Sequence, residues 1–302
     1  MKKLIIAAAI SATMLSAYAF DSYKDAVAAG QQETKAKKWS EAEQAYASAV
    51  DLSKNSAEKS SALYCVGESQ RQNNKMDEAS KSYAAILALP DASDYYKNLA
   101  QLRIGQVLMW TKKYDQAILE LEKVFTMKAP LFFIDAQQSI GYCLRLQKKY
   151  DEMIKAYEKV LKMEKLTPTQ TGDAFLNIAN ALFLLKKYDE SIASFEKVIV
   201  LEKVLPAHIA QAQHGVGLCL LNQKKTEDAL KAFEKVASLK DCPPYYEIES
   251  IRMTGTCYFN LKDNDKAKEA FNKVVANPKA SAVQKKFSED MIKRIDAVAV
   301  KQ

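Results

Sequence analysis

Histidine, cysteine and clustered carboxylates most often carry catalysis or hold a metal, and this sequence uses them sparingly. Its two histidines, His208 and His214, are six residues apart, a spacing that does not place both on one face of a helix. No carboxylate is paired with either histidine in the sequence, and no GxSxG turn supplies a nucleophile. The segment Lys262–Asp265 is similar to the start of a calcium loop but lacks its glycine and closing glutamate. We therefore expect no enzyme, no cofactor and no metal site.

Lysine pairs recur at regular positions and could bind a partner. They are Lys37-Lys38, Lys112-Lys113, Lys148-Lys149, Lys186-Lys187 and Lys224-Lys225. Stacked in space, they would form a basic ridge for an anionic surface such as phospholipid head groups or cell-wall polymer. The alternative is a set of soluble turns with cations near helix C-termini, which the helix dipole favours by roughly 0.3–1 kcal/mol.

Doubled aromatic residues also recur. They are Tyr95-Tyr96, Phe132-Phe133 and Tyr245-Tyr246. The second ring of each pair stands eight or nine residues before a recurring glycine, near a predicted helix start. Such rings either staple the helix start or form an exposed aromatic ledge for a ligand.

The elements that position these residues are repeated along the chain. Residues 148–164 read KKYDEMIKAYEKVLKME, and residues 186–202 read KKYDESIASFEKVIVLE. Weaker copies occur around residues 37–50, 75–87, 112–124, 224–236 and 262–274. A recurring period of this size is typical of a solenoid.

Glycine shows the period most clearly. Six of the eight glycines, with one alanine, lie about 38 residues apart, and we call them the ladder residues. They are Gly30, Gly67, Gly105, Gly141, Ala179, Gly217 and Gly255. A small residue follows twelve positions later in most copies, and a ring or leucine four positions after that. Because glycine costs roughly 1 kcal/mol inside a helix, we expect each ladder residue to face a small residue of the next helix, with the ring filling the space beside it.

The prolines support the same repeat boundaries. All seven lie between the predicted helix pairs. They are Pro90, Pro130, Pro168, Pro206, Pro243, Pro244 and Pro278. Because proline ends helices and cannot donate a backbone hydrogen bond, we expect every one of them in a linker.

The repeated pattern resembles the tetratricopeptide repeat over about residues 23–278. In that family an aromatic residue opens the second helix of each pair, as Trp39, Tyr114, Tyr150 and Tyr188 do here. The family repeat has 34 residues, so these repeats are about four residues longer. The resemblance implies an all-α fold: a right-handed α-solenoid of about seven helix pairs with a period of about 38, closed by a C-terminal capping helix.

The resemblance also implies a binding site. In the family, the first helix of each pair lines a concave face, and inward positions there carry the ligand-binding residues. Carried onto this sequence, the candidate ligand-binding residues are Tyr64, Arg71, Met109, Tyr142, Arg145, Asn180 and Phe183. Arginine, aromatic residues and methionine are enriched where proteins bind proteins. The Lys, Asn and Arg set with which some family members clamp a chaperone carboxylate is not found, so we expect another protein or peptide ligand.

Cysteine usage argues against redox chemistry. Cys143, Cys219 and Cys257 each lie two residues after a ladder residue, so they occupy equivalent small sites in different repeats. Stacked helices lie about 10 Å apart, beyond disulfide reach, so we expect all three to be buried and reduced. Cys242 lies in a linker and is the best candidate for a reactive thiol or an intermolecular bridge. With no CxxC pair, structural zinc is not indicated.

The N-terminus predicts export. Two lysines precede an apolar run, Leu4–Ala17, and Ala17-Tyr18-Ala19 matches the small-x-small rule for signal cleavage. We expect a signal peptide at 1–19, a mature chain starting at Phe20, a repeat solenoid at 20–278, and a capping helix and tail at 279–302. The protein would then be periplasmic or secreted.

The C-terminal tail predicts an amphipathic helix at about 281–298. Its apolar residues recur every three or four positions at Val283, Phe287, Met291, Ile295 and Val298. The favoured interpretation is a cap over the last repeat, and the alternative is a helix that docks on a partner or membrane.

The composition fits a long helical protein, with 48% apolar and 27% charged residues and only eight glycines. A net charge of +7 keeps such a chain soluble but does not indicate nucleic acid binding. The sequence thus predicts a non-catalytic scaffold for a protein or peptide of the bacterial envelope. The alternative is adhesion to anionic polymer or membrane through the basic ridge. The oligomeric state is left open.

Overall fold

A computed structural model of the chain describes residues 20–128 and 132–299. The described residues form fifteen α-helices, one 3-10 helix at Val124–Thr126 and no strand. The helices are α1 (Tyr23–Lys35), α2 (Trp39–Leu52), α3 (Ser56–Gln72), α4 (Met76–Leu87), α5 (Asp94–Trp110), α6 (Tyr114–Lys123), α7 (Phe133–Leu146), α8 (Tyr150–Leu161), α9 (Pro168–Leu184), α10 (Tyr188–Ile199), α11 (Pro206–Asn222), α12 (Thr226–Ala237), α13 (Pro244–Asn260), α14 (Asn264–Ala276) and α15 (Ala282–Ala299). The odd-numbered helices α1–α13 open a repeat and are called A helices, and the even-numbered ones are B helices. The predicted all-α fold of seven helix pairs and a final helix is confirmed.

The turn from each A helix to its B helix has one geometry throughout. The second residue after the A helix has a positive φ of 58–65° in all seven repeats, and six of these residues are lysines. In the third repeat Lys112 donates its N–H to Met109 (3.0 Å) and Lys113 donates to Leu108 (2.9 Å), which closes the end of α5. A lysine in this left-handed conformation costs about 1–2 kcal/mol. The lysine pairs therefore mark helix ends.

Packing within a pair depends on the ladder glycine. A Cβ built on Gly67 would lie 2.5 Å from the ring of Tyr83, and one built on Gly217 would lie 2.5 Å from the ring of Phe233. Both rings are fully buried. Our expectation that the glycine faces a small residue was therefore wrong in one respect, because the ring sixteen residues later occupies the space that the missing side chain leaves.

In one repeat the ring packs against a glycine of the following A helix instead of the ladder residue of its own repeat. Its ladder residue is Ala179, which carries a methyl group where the other repeats have glycine. The ring of the same repeat, Phe195, instead lies against Gly215 of the following A helix, where a Cβ would be 2.4 Å from Cζ. Gly215 lies outside the ladder, and the sequence pattern did not identify its role.

Three prolines lie inside helices, contrary to our prediction that all would lie in linkers. Pro168, Pro206 and Pro244 are the first residues of α9, α11 and α13. The first turn tolerates proline because its N–H groups have no partner within the helix. At α9 the start is reinforced by a capping box between Thr167 and Gln170. Pro130 lies outside the described residues.

The described chain divides into two units, one ending at Gln147 and one beginning at Lys148. In the first unit, α3 contacts α5 and α5 contacts α7, so successive A helices lie side by side. In the second unit the same holds for α9, α11 and α13, and α15 packs on α14 and α13. Each unit therefore presents a row of neighbouring A helices.

The final helix forms as predicted, but its buried face differs from the predicted stripe. Val283 is 79% exposed, whereas Gln284 and Ser288 are buried. The helix is rotated because the amide of Gln284 donates to Glu249 (3.2 Å), which brings the small Ser288 into the buried contact. Ile295 is buried as expected, and the side chain of Val298 lies outside the described residues.

Residues 1–19, with the predicted signal peptide and its cleavage site, also lie outside the described residues. Between Phe20 and the end of α15, none of the described helices is long and apolar enough to span a bilayer.

Candidate functional site

Three positions of each A helix are at least partly exposed. These positions follow the ladder residue by one, four and five residues, and together we call them the A-helix face of a unit. In the first unit, helices α3, α5 and α7 contribute Glu68, Arg71, Gln72, Gln106, Met109, Trp110, Tyr142, Arg145 and Leu146, all at least partly exposed.

Glu68 is the centre of a polar cluster on this face. Its Oε2 accepts hydrogen bonds from Nη2 (2.9 Å) and Nε (3.2 Å) of Arg71. Its Oε1 accepts from the Tyr83 hydroxyl at 2.7 Å, and Nε of Arg103 lies 2.9 Å from the same oxygen. Arg103 also donates from Nη2 to the Tyr64 hydroxyl at 2.9 Å. One carboxylate therefore orients two arginines and, through them, a tyrosine.

The environment of Arg103 favours its charged form. Burial acts to lower the pKa of Arg103, but the Glu68 carboxylate, the hydrogen bond to Tyr64 and the nearby Tyr83 together outweigh burial, and the pKa of Arg103 is raised. Burial also raises the pKa of Tyr64 and of Tyr83, and Glu68 adds to both shifts.

Both arginines predicted to bind ligand lie over aromatic rings. The guanidinium of Arg71 is 4.9 Å from the ring centroid of Trp110 on the next A helix. The guanidinium of Arg145 is 4.9 Å from the ring centroid of Tyr142, one turn earlier in α7. Such stacking is favourable because the ring face is electron-rich. Trp110 is 39% exposed and Tyr142 is 42% exposed, so both rings remain available to a partner.

Gln106 links the two A helices that carry these rings. Its Oε1 accepts from Arg103 at 2.7 Å, and its Nε2 donates to Ser139 of α7 at 3.3 Å. The half-buried Met109 lies between Gln106 and Trp110 in the sequence of α5. The rings therefore stand on helices whose relative position is held by hydrogen bonds.

A groove of about 200 Å³ adjoins the cluster on the side of the first repeat. Its walls include Trp39, Tyr46, Tyr64 and Glu68. Its lining combines three aromatic rings with small and polar side chains and one carboxylate, a composition suited to receiving an apolar side chain.

The remaining two predicted residues lie in the second unit. Asn180 and Phe183 occupy the A-helix face of α9, and both are half-buried. The ring of Phe183 packs edge-on against Tyr188 at 5.7 Å between centroids. The predicted residues therefore form two sets, one of five in the first unit and one of two in the second.

Two further residues contact the first set and were not predicted from the sequence. Trp110 lies five residues after its ladder residue, a position that the family pattern did not indicate as facing a ligand. Arg103 lies two residues before the same ladder residue, and its role depends on Glu68 and Tyr64 of the preceding repeat. A tryptophan at the end of an A helix could have indicated the role of Trp110, whereas no neighbouring residue in the sequence indicated the role of Arg103.

Family comparisons agree with the helix pairs. Three tetratricopeptide repeat models match residues 134–165, 170–241 and 249–280, which cover helix pairs from α7 to α14. This chain is a tetratricopeptide repeat protein. No curated protein matches its sequence.

Solved structures share the fold of this tetratricopeptide repeat protein at low sequence identity. A tetratricopeptide repeat protein from Parabacteroides merdae is 16% identical with a TM-score of 0.54, covering 91% of this chain and 99% of that one. The apo form of RapI is 12% identical with a TM-score of 0.65, covering 83% and 75%. The C-terminal part of a repeat protein from Cytophaga hutchinsonii is 17% identical with a TM-score of 0.62, covering 84% and 96%. At these identities the likeness concerns the fold alone.

The cysteines of the repeats lie in apolar sites. All five are free, and Cys143, Cys219 and Cys257 are fully buried, as predicted. Burial raises the pKa of Cys143 to about 11 and that of Cys257 to about 12. Burial, with a smaller contribution from Glu247, also raises the pKa of Cys242, so this thiol lacks the activation that we expected of a reactive site.

The two histidines serve different contacts within the repeats. Nε2 of His208 lies 2.9 Å from Asp173 of the preceding repeat, so our statement that no carboxylate pairs with a histidine was wrong. The pair is 35 residues apart in sequence, and only repeat stacking brings it together. His214 is buried, with Nδ1 3.2 Å from Ser250 Oγ. Within the described ranges, no group of three or more potential ligands is placed to hold a metal ion.

Proposed function

We propose that this protein is an exported, non-catalytic scaffold that binds a protein or peptide of the bacterial envelope on the A-helix face of its first unit. Export is inferred from the signal-like residues 1–19. The tetratricopeptide repeat fold supports an interaction role in general terms. The partner, the compartment and the site are the proposed elements.

One observation carries the choice of site. Trp110 and Tyr142 are exposed on neighbouring A helices, and each bears a stacked arginine, Arg71 or Arg145. Rings and arginines are the side chains that most often dominate binding energy at protein interfaces. Because the arginines are already oriented, they lose less freedom when a partner binds.

The proposed partner segment is apolar with at least one carboxylate. The exposed rings favour apolar side chains. Arg145 is exposed, and its guanidinium can donate two parallel hydrogen bonds to a carboxylate. Arg71 is already hydrogen-bonded to Glu68, and its guanidinium mainly holds the ring of Trp110 in position.

The basic ridge is supported less well as a binding surface. After each lysine pair of the second unit, one residue intervenes and two acidic residues follow, as in Asp151-Glu152 and Asp189-Glu190. All of these side chains are exposed, so each turn is locally close to neutral. The left-handed backbone at the first lysine gives these turns a structural role without any ligand.

The experiment compares capture of envelope proteins by variants of the full chain. Tyr142→Ala with Arg145→Ala should abolish capture of the partner while helicity and melting temperature stay unchanged. Tyr245→Ala is the matched control, since Tyr245 is an exposed tyrosine of another A helix outside this face. If the double variant binds normally and charge reversal at Lys148-Lys149 and Lys186-Lys187 abolishes binding, the ridge is the site and the proposal is wrong.

A further inference from the structure

Both histidines of the chain lie on one A helix, α11, and each contacts a different neighbouring A helix. Nε2 of His208 lies 2.9 Å from Oδ1 of Asp173 on the preceding A helix, α9. Nδ1 of His214 lies 3.2 Å from Oγ of Ser250 on the following A helix, α13. Each side of α11 therefore has a titratable contact with its neighbour.

The contact between His214 and Ser250 takes the place of an apolar pair in the preceding repeat. Ser250 lies five residues before its ladder residue, a position that holds a buried alanine in the second to sixth repeats. These alanines are Ala62, Ala100, Ala136, Ala174 and Ala212. His214 lies three residues before its ladder residue, where the fifth repeat has Leu176, which belongs to one core cluster with Ala212. A leucine–alanine pair is thus replaced by a histidine–serine pair one repeat later.

The imidazole of His214 is buried among uncharged groups. It is 8% exposed, and its ring centroid lies 5.3 Å from that of Phe233 on α12 and 6.1 Å from that of Tyr246 on α13. Helix α11 itself carries no Asp, Glu, Lys or Arg. Within the described part of the chain, the charges that act on His214 come from Glu249 and Arg252 of α13. A proton on the ring would therefore have to be balanced from α13.

The carboxylate of α13 is already paired. Glu249 accepts hydrogen bonds from Nε of Arg252 (3.0 Å) and from Nε2 of Gln284 on α15 (3.2 Å). Burial lowers the pKa of His214 to about 4, with Glu249 opposing this shift and Arg252 adding to it. Protonation of His214 in the packed state would thus bury a charge without a partner of its own, which is unfavourable.

The environment of His208 differs because its partner is a carboxylate. A protonated His208 forms an ion pair with Asp173 through Nε2. Its Nδ1 is buried without a hydrogen-bond partner, but the charge of the ring is paired. The contact of α9 with α11 therefore has a counter-ion that the contact of α11 with α13 lacks.

The contact of His214 also lies at the boundary of the last repeat. Helix α13 packs on α11 and α12, and the remaining helices α14 and α15 pack on α13 and on each other. Because a repeat contacts only its neighbours, an end repeat can separate while the others stay folded. Loss of this boundary would free α13, α14 and α15 together.

We propose that the contact of α11 with α13 is an acid-sensitive boundary, at which protonation of His214 releases α13, α14 and α15 while α9 and α11 stay packed. In the open state His214 meets water and binds a proton with its ordinary pKa of 6.5, whereas in the packed state that pKa is about 4. Acid therefore favours the open state. Between pH 7.5 and pH 5 the ratio of open to packed molecules should rise about 30-fold. This release requires no ligand and goes beyond the proposed function.

The test is hydrogen exchange of the full chain, read by mass spectrometry at pH 7.5 and pH 5 and corrected for the pH dependence of exchange itself. Amides of α13–α15 should lose about 30-fold in protection, while those of α9 keep theirs. His214→Leu with Ser250→Ala restores the leucine–alanine pair of the preceding repeat and should remove this loss. His208→Gln is the matched control, since it replaces the other histidine of the same helix and should leave the loss at α13–α15 in place.

Three outcomes would overturn the inference. One is an equal loss of protection in α9 and in α13–α15, because acid would then destabilise the repeats in general. The second is a loss that persists in the His214→Leu, Ser250→Ala variant. The third is a loss that disappears in His208→Gln. If the double variant does not fold, the comparison of α13–α15 with α9 in the unchanged chain and in His208→Gln still decides.

Discussion

Replacing Gly217 with alanine tests whether the ladder glycines are required because a buried ring packs directly against their Cα atoms. The new Cβ would lie 2.5 Å from Cε1 and 2.7 Å from Cζ of Phe233, whose side chain is fully buried. Ordinary carbon contacts are about 3.5–4 Å, so the ring must move by about 1 Å in a packed interior. Such overpacking costs about 1–3 kcal/mol, and alanine returns roughly 1 kcal/mol of helix propensity. We expect a net loss of up to about 2 kcal/mol.

The same substitution should have the opposite sign when the ring is absent. In a Phe233→Ala background nothing obstructs the new methyl group, so Gly217→Ala should stabilise by about 1 kcal/mol through helix propensity. The two backgrounds should then differ by about 1–3 kcal/mol, a coupling measured by urea unfolding of the four proteins. A higher melting temperature for Gly217→Ala alone, or equal effects in both backgrounds, would refute the ring-seat explanation.

Three further predictions follow from the sequence and the buried groups. Mass spectrometry of exported protein should find Phe20 as the first residue, and a soluble chain retaining residues 1–19 would contradict the signal assignment. Thiol counting under denaturing, non-reducing conditions should find Cys143, Cys219 and Cys257 free. In the native protein the three thiols should be alkylated slowly, because burial raises their pKa. A disulfide mapped between any two of them would contradict the prediction. Burial lowers the pKa of His214 from 6.5 to about 4, so the unfolded state binds a proton that the folded state does not. The free energy of unfolding should be highest above about pH 6.5 and fall by about 3 kcal/mol as the pH drops to 4. The variant His214→Gln, which has the residue found at the equivalent position Gln138 of the fourth repeat, should reduce this pH dependence. An unchanged pH dependence in the variant would exclude His214 as its source.

Much of the fold could be predicted because the same helix contact occurs in every repeat, so its residue pattern appears several times in the sequence. A single glycine in a helix is weak evidence, but ladder residues about 38 positions apart, each followed by a ring or a leucine, indicate a recurring helix contact. The helix pairs and the buried cysteines were predicted from such recurrences, and the final helix was predicted from the three- and four-residue spacing of its own apolar residues. Predictions were wrong where one rule was applied to every repeat alike. All prolines were assigned to linkers, but Pro168, Pro206 and Pro244 are the first residues of helices.

The candidate site was predictable only in part. The A helices were identified from the repeat, so positions such as Tyr142 and Arg145 could be named. Which side chains touch was not predictable, because Glu68 contacts Arg103 in the following repeat. Contacts between repeats depend on the rotation and spacing of stacked helices, which the pattern of one repeat does not specify.

The sequence by itself determined the periodic features of this protein, namely the helix pairs, the small ladder residues and the lysine turns, because periodic burial constrains the same residue types in every copy. Only the tertiary structure decided the features that differ between copies. The ring of Phe195 lies against Gly215 of the following A helix, in the one repeat whose ladder residue is alanine. His208 meets Asp173, and Arg71 lies over Trp110, because stacking brings together residues 35 and 39 positions apart. These contacts are set by the packing of whole helices, and that packing exists only once the repeats have assembled.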